Sequence, residues 1–389
     1  MSQKHFLNTA MHSYFIDDFQ NDDSLAAQTP DQTIEVNLTQ SSIFTLALLS
    51  DAFVIQRFLS AIAQASSANL VWHESAINAI SASPGTVPLL CSAIMLDNVS
   101  HQLEGGGAPM SASRRTSLRK RVEKHRLAPN WFDSADSIVC ADYISKGWHK
   151  DIYASPGILK DRNALESLLS ILIDAKIDGL EDADLLRKWK DSLAAVIYEL
   201  FENTHIHGRF DYDGNAIVKD VMRVLLIRRI SVTTGGNQKK TKNEKLVSAL
   251  EISVLDSGVG FFGSRHARRI QPSDNLEVEW QNLKECLEVH VDEPATTDSH
   301  RGIGLYEVLR ALHFLKGSLQ VRSGRVFGYR SFFSNDLSIQ MEPKTSNERP
   351  GMPKVRLFDF NDPYRPTPTR NTEVRGVVAR TLVPLGWSK

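Results

Sequence analysis

A chain of 389 residues with 42% hydrophobic and 23% charged side chains has room for two or three domains at ~150 residues each. Each is long enough to bury a core, so a disulfide scaffold, a fibre and a disordered chain are excluded. Lys+Arg (45) and Asp+Glu (46) balance to a formal net charge of -1; no global field draws the chain to nucleic acid or anionic lipid, and any polyanion site must be local.

Residues 1–34 are polar and acidic and predict a loosely ordered lead-in. They lack the basic start and continuous apolar stretch of a secretory signal. Cys91, Cys140 and Cys286 are odd in number and far apart, which fits a reducing compartment, and the cytoplasm is expected. From Thr33, TIEVNL alternates like a strand, IFTLALLSDAFVIQRFLSAIAQA repeats apolar residues at helical spacing, and NLVW is again strand-like. An α/β domain over 35–160 follows, with the role of a sensor, effector or partner-docking part. The uncharged stretch Ser75 to Leu96 contains Pro84, Gly85, Pro88, Asn78 and four serines, the pattern of a buried, broken segment and not of a membrane helix. Over 114–126, Arg114, Arg115, Arg119, Lys120, Arg121, Lys124 and Arg126 form a basic run. It reads first as a solvated helix face and second as a docking surface for nucleic acid, acidic protein or lipid.

A second domain is predicted over 161–389. ALESLLSILIDAKI and LLRKWKDSLAAVIYELFENTHIHG carry the helical period, the latter closed by Gly208. Strand-like segments follow in AIVKDVMRVLLIRRISV, ALEISVLD, GSLQVRS, VFGYRSFF and VRGVVARTLVPL. Helices followed by mostly antiparallel strands predict an α+β sandwich. Insertions interrupt it at 235–245, read as a hairpin tip, and at the Pro-rich 342–370.

Neither a Gly-Lys dipeptide nor a His-Arg-Asp or Asp-Phe-Gly triplet occurs, which excludes P-loop and eukaryotic protein-kinase chemistry. Three other motifs appear in order. Glu199 and Asn203 lie one helical turn apart on one face, where a carboxylate can take a proton and an amide oxygen can ligate a hard cation. Asp256, Gly258 and Gly260 end an apolar strand; the aspartate can accept from an exocyclic amine and the glycines let backbone approach a flat ring. Arg301, Gly302 and Gly304 precede the helical YEVLRALHFLKG, where exposed N–H groups and the helix dipole favour an anion.

In this order and context, over about 165–384, the motifs resemble those of the GHKL superfamily, the Bergerat-fold ATPases. Glu199 and Asn203 match its N box, Asp256, Gly258 and Gly260 its G1 box, and Gly302 and Gly304 its G2 box. The resemblance implies a C-terminal Bergerat-type α/β sandwich, with a mixed, mostly antiparallel sheet, preceded by the α/β N-terminal domain. It implies Mg-ATP as the ligand, with Asn203 on Mg²⁺, Asp256 on the adenine amine and Glu199 polarising the attacking water or hydroxyl; by their own charge, Arg301 or His300 could act against a phosphate. Residues 261–300 would form a lid, with Arg265, Arg268 and Arg269 as candidate phosphate contacts. The sequence departs from the family at Lys316-Gly317-Ser318, which keeps little of its later glycine-rich signature, and at Gly376-Val377, where Gly-Thr is frequent.

Glu199-Leu-Phe-Glu-Asn203-Thr-His-Ile-His207-Gly208 is similar to the N box of anti-sigma-factor serine kinases, which also tends to end in His-Gly. The resemblance therefore implies an ATPase acting as a nucleotide-dependent switch, with a protein serine kinase or a non-catalytic nucleotide-binding module as alternatives. A histidine kinase is disfavoured: His73-Glu74 lies about ninety residues too early with no proline at the usual close distance, and a satisfied or surface histidine is the better reading. The expected partner is a protein, a homodimer is one arrangement, nucleic acid at 114–126 is less favoured, and a membrane is not expected.

Overall fold

The computed structural model describes residues 11–15, 33–38, 51–105, 107–125, 136–141, 149–174, 183–217, 221–234, 245–288, 304–333, 356–362 and 364–385. The N-terminal part holds a four-stranded parallel sheet of β1 (Met11–Phe15), β2 (Thr33–Leu38), β3 (Ser67–Trp72) and β4 (Ser100–Leu103), in that spatial order. Strand β1 departs from the lead-in read over 1–34: Met11 to Phe15 pair in register with Thr33 to Asn37. MHSYF has little alternation of its own, and the edge of β2 supplies the hydrogen bonds that make it a strand. In β2 the alternation holds, with Ile34, Val36 and Leu38 fully buried.

Helices α1 (Ala52–Gln64), α2 (Glu74–Ala82) and α3 (Pro88–Met95) connect these strands, with a 3-10 turn at Pro84–Thr86 between α2 and α3. The uncharged Ser75–Leu96 stretch thus folds as two short helices broken where Pro84 and Pro88 lack the N–H that a continuous helix needs. No helix among the described residues is long and apolar enough to cross a membrane. Asp51 caps α1, its carboxylate accepting from the N–H groups of Phe53 and Val54.

Helix α4 (Ala112–Lys124) carries the basic run, and several of its arginines are structural. Arg119 donates to the carbonyls of Ile94 and Leu96 at the end of α3 and pairs with Asp97; Arg121 reaches Ser81 O at the end of α2, and Arg114 binds Glu74. Cations placed there satisfy the carbonyls that a helix C-terminus leaves unpaired.

Strand β5 (Asp136–Ala141), although N-terminal to residue 161, belongs to the second sheet. A short hairpin, β6 (Tyr153–Ser155) with β7 (Ile158–Leu159), leads into α5 (Arg162–Asp174) and the 25-residue α6 (Ala183–His207). Then come β8 (Met222–Thr234), β9 (Lys245–Asp256), α7 (Gly260–His266), α8 (Leu276–Cys286), α9 (Gly304–Phe314), β10 (Ser318–Gly324), β11 (Val326–Ser331), β12 (Phe358–Asp359) and β13 (Val374–Pro384). The seven-stranded sheet runs β12-β11-β10-β13-β9-β8-β5, and each adjacent pair in it is antiparallel. The parallel pairs are confined to the other sheet. Residues 235–244, read as a hairpin tip, lie outside the described residues; Thr234 pairs with Lys245 at the ends of β8 and β9. Of the 342–370 insertion, 356–362 and 364–370 are described and include β12.

Both faces of the seven-stranded sheet are covered. On one, Leu225, Ile252, Val254 and Leu319 pack under Leu193, Ile197 and Phe201 of α6 and Leu309 and Leu312 of α9. On the other, Met222, Val224, Leu255, Phe327 and Val378 share a core with α1, α3 and the buried residues of β2 and β3. Helix α1 is buried almost all round because it lies between two sheets. Polar groups sew this junction: Arg228 reaches both Asp51 and the fully buried Glu251, which also accepts from Arg380 at 2.6 Å. Gln56 Nε2 donates to Arg375 O at 3.2 Å and Ser60 Oγ accepts from Arg375 N at 3.0 Å. The chain is therefore mixed α/β, with a largely antiparallel sheet backed on one side by helices and on the other by the N-terminal part.

Candidate functional site

Between α6, α9 and the ends of β9, β10 and β13 lies a solvent-open cleft. Its walls are mostly apolar, including Leu200, Val254, Leu305, Leu319 and Val321, with Asn203, Thr204, His207, Asp256 and Ser264 as polar members. Residues at helical spacing on α6 and every second residue of the strands build these walls, because both elements present one face to the same gap.

Asn203 meets Asp256 and Gly260, more than fifty residues further along the chain, here. Asp256 ends β9 and is 4% exposed. Its Oδ1 accepts the Gly258 N–H at 2.9 Å. Burial pushes its carboxyl up to about 6, against the opposing pull of the Gly258 N–H, the Arg223 guanidinium and the Val377 N–H. Glycines crowd it from all sides. A Cβ on Gly208 would stand 2.7 Å from the Asp256 side chain, and one on Gly258 would stand 2.6 Å from Gly208 O. Gly376, at φ +72, leaves a Cβ only 1.9 Å from Asp256 O. Glycine at these positions is thus a packing requirement, and at Gly376 a torsional one as well.

Asn203 Nδ2 donates to Glu199 O at 2.7 Å, leaving Oδ1 as the atom that can meet a hard cation. One amide oxygen fits Mg²⁺ whose other ligands are phosphate oxygens and water; among the described residues no group of three His, Cys, Asp or Glu could hold a metal ion. Glu199 is brought near but differently: it is 7% exposed, is not part of the cleft wall, and binds Arg162 Nη1 through Oε1 at 2.5 Å. Burial raises its carboxyl above the usual range, Arg162 pulls it down, and Glu202 and Glu307 push it up. Arg162 also binds Glu166 and lies over the Tyr198 ring, 5.3 Å from its centre.

Gly304 opens α9 as expected, and the next residue, Leu305, reaches the cleft. Arg301 and Gly302 lie outside the described residues. Within the segment read as a lid, Arg265 pairs with Glu285, and Arg268 binds both carboxylate oxygens of Asp274 at 2.8 Å. These two brace α7 and α8, while Arg269 sits near Glu373; none of the three lines the cleft. Lys316-Gly317-Ser318 serves the turn after α9, where Gly317 N donates to Leu312 O at 2.8 Å. His73 caps α2 and pairs with Glu104, which makes it a satisfied histidine.

Two residues that the motifs did not single out now belong to the site. One is Arg162. The other is Arg223, fully buried on β8 and the register partner of Asp256 on β9. A single cation inside the apolar MRVLLI run was a readable signal for it; nothing local marked Arg162, whose partner is 37 residues away. Compared with protein-family models, characterised proteins and solved structures, the chain matches none.

Proposed function

We propose that the cleft is a Mg-ATP site of Bergerat type and that the protein is a slow ATPase acting as a nucleotide-dependent switch. One observation carries the reading: Asn203, Asp256 and the glycines at 208, 258, 260 and 376 converge on one apolar-walled cleft with a buried carboxylate at its inner end. An apolar slot takes a flat ring, glycine backbone lets the ring come close, and an ionised carboxylate accepts from an exocyclic amine. Asn203 would hold Mg²⁺, which when bound neutralises charge on the phosphate oxygens.

Turnover rests on Glu199. Its free oxygen can accept a proton from an incoming water, but Oε1 is engaged by Arg162, so hydrolysis requires that pair to loosen and is slow. The same pair favours the second reading, a nucleotide-binding module without turnover. The protein would then report nucleotide through β13, whose Arg375 backbone is bonded by Gln56 and Ser60 of α1 on the opposite face of the sheet.

The test is ATP titration by calorimetry with Mg²⁺, beside Asp256→Asn and Asn203→Ala, followed by γ-labelled ATP with cell lysate. Asp256→Asn is expected to weaken ATP at least about tenfold, the loss of one charge-assisted bond in a buried site. It should not destabilise the fold. The carboxyl of Asp256 is raised from 3.8 to about 6 in the folded chain, so its contribution is fully present below pH 3.8 and is lost as pH rises through 6; an amide is spared that loss at pH 7. Asn203→Ala should lose the Mg²⁺ dependence. Wild-type protein that binds no ATP sinks the reading; label on a protein serine would make it a kinase, and binding without released phosphate the non-catalytic module.

A further inference from the structure

Beside the cleft, under its inner end, is a cluster that none of the motifs requires. Arg223 is fully buried on the strand next to Asp256, at the register position opposite it and on the same face of the sheet. Its guanidinium bonds the Tyr153 hydroxyl, comes within 3.3 Å of His205 Nδ1, and lies 5.3 and 5.6 Å from the ring centres of Tyr153 and Phe201. Burying a guanidinium is costly, and a site that encloses one on two aromatic faces holds a charge in place. The pull of that charge reaches the Asp256 carboxyl. The groups acting on Asp256 are Arg223 from β8 and the N–H groups of Gly258 and Val377; His207 of α6 lines the same cleft, and Arg209 lies beyond His205.

We propose that Arg223 is the positioning residue for base selection: its enclosed charge keeps Asp256 an acceptor and so selects a 6-amino purine over a 6-oxo purine. This rests on the nucleotide reading above. The chemistry is a matter of one proton. An ionised carboxylate accepts from the amine of adenine and repels the oxygen of hypoxanthine, whereas a protonated carboxyl donates to that oxygen. Arg223 tips the balance toward the ionised form at neutral pH, overcoming part of the desolvation that works against it.

The experiment measures ATP and ITP affinity between pH 5 and 8 for wild type, Arg223→Gln, Arg223→Met and Arg223→Lys. In wild type, ATP binding is expected to fall as pH drops through about 6, while ITP binding rises. In the two neutral variants the midpoint moves up by about one unit or more, which at pH 7 is about a tenfold loss of ATP-over-ITP preference. Arg223→Lys keeps the charge and restores the wild-type midpoint. A purely structural role would weaken both nucleotides together and leave the midpoint in place, which overturns the proposal. If neither neutral variant folds, Tyr153→Phe decides: it removes the hydroxyl that anchors the guanidinium, and a preference at pH 7 unchanged from wild type overturns the proposal. Wild-type protein that binds neither nucleotide at any pH instead sinks the underlying reading.

Discussion

At the scale of single residues, the site is decided by where a side chain is absent. Gly376 is the sharpest case, because its φ of +72 and the 1.9 Å that would separate an added Cβ from Asp256 O act together. Gly376→Ala is expected to cost about 3 kcal/mol or more. Gly105, at φ +87 with nothing within 4 Å of where a Cβ would stand, has only the torsional penalty; Gly105→Ala should cost about 1 to 2 kcal/mol. Thermal unfolding of the two variants separates steric from torsional strain, and equal losses would contradict the crowding at Asp256. Sequence showed the glycines of the Asp256 motif plainly, since Asp-x-Gly-x-Gly after an apolar strand has few uses. It did not show Gly376 as their partner, because that contact joins β13 to β9 across more than a hundred residues. Arg223 was visible only as one cation inside an apolar run; that it stands opposite Asp256 is a matter of strand register.

At the scale of elements, the wall formed by α7 and α8 is braced from within. Arg325 and Glu279 are both almost fully buried, with Arg325 Nε donating to Glu279 Oε1 at 2.6 Å and Arg325 N to Oε2 at 2.9 Å. The same guanidinium donates to Asp274 O at 2.9 Å and thereby holds the turn before α8. Glu279→Gln leaves a buried cation without its counter-charge and is expected to cost about 3 to 5 kcal/mol. Limited proteolysis should then cut first within 268–275; a variant as stable and as resistant as wild type would show that the pair does not brace the wall. Helix α6 and strands β9 and β13 were legible from period alone, and the structure keeps them within a few residues. The tie between Arg325 and Glu279 was not, since 46 residues separate the partners and neither sits in a pattern. The arginines of 265–269 show the converse: their charge was readable, but Glu285 and Asp274 decide where it is spent.

At the scale of the molecule, the N-terminal part and the seven-stranded sheet are one folding unit. Phe58, Ile55 and Leu59 of α1 share a buried cluster with Met222, Val224, Leu255 and Val378, and full burial of each such side chain is worth roughly 1.5 to 3 kcal/mol. The full chain is therefore expected to unfold in a single calorimetric transition. A fragment of residues 161–389 would lose β5 and expose that face of the sheet, and it should aggregate or remain partly folded. Two separate transitions, or a monomeric and fully folded fragment, would mean that the shared core contributes little. The same junction gives the proposed switch its route, from the cleft through β13 to α1.

Taken by itself, the sequence determined the periods of the main helices and strands, the break in the uncharged Ser75–Leu96 stretch, and the three motifs around Glu199, Asp256 and Gly304, because each is written in neighbouring residues. Only the tertiary structure decided that β5 joins the second sheet, that α1 is enclosed between two sheets, that Glu199 is held by Arg162, and that Arg223 lies beside Asp256. Those are contacts between residues tens to hundreds of positions apart. Local pattern carries the identity of such residues but not their pairing, which is set by which apolar faces bury one another and in which register the strands align.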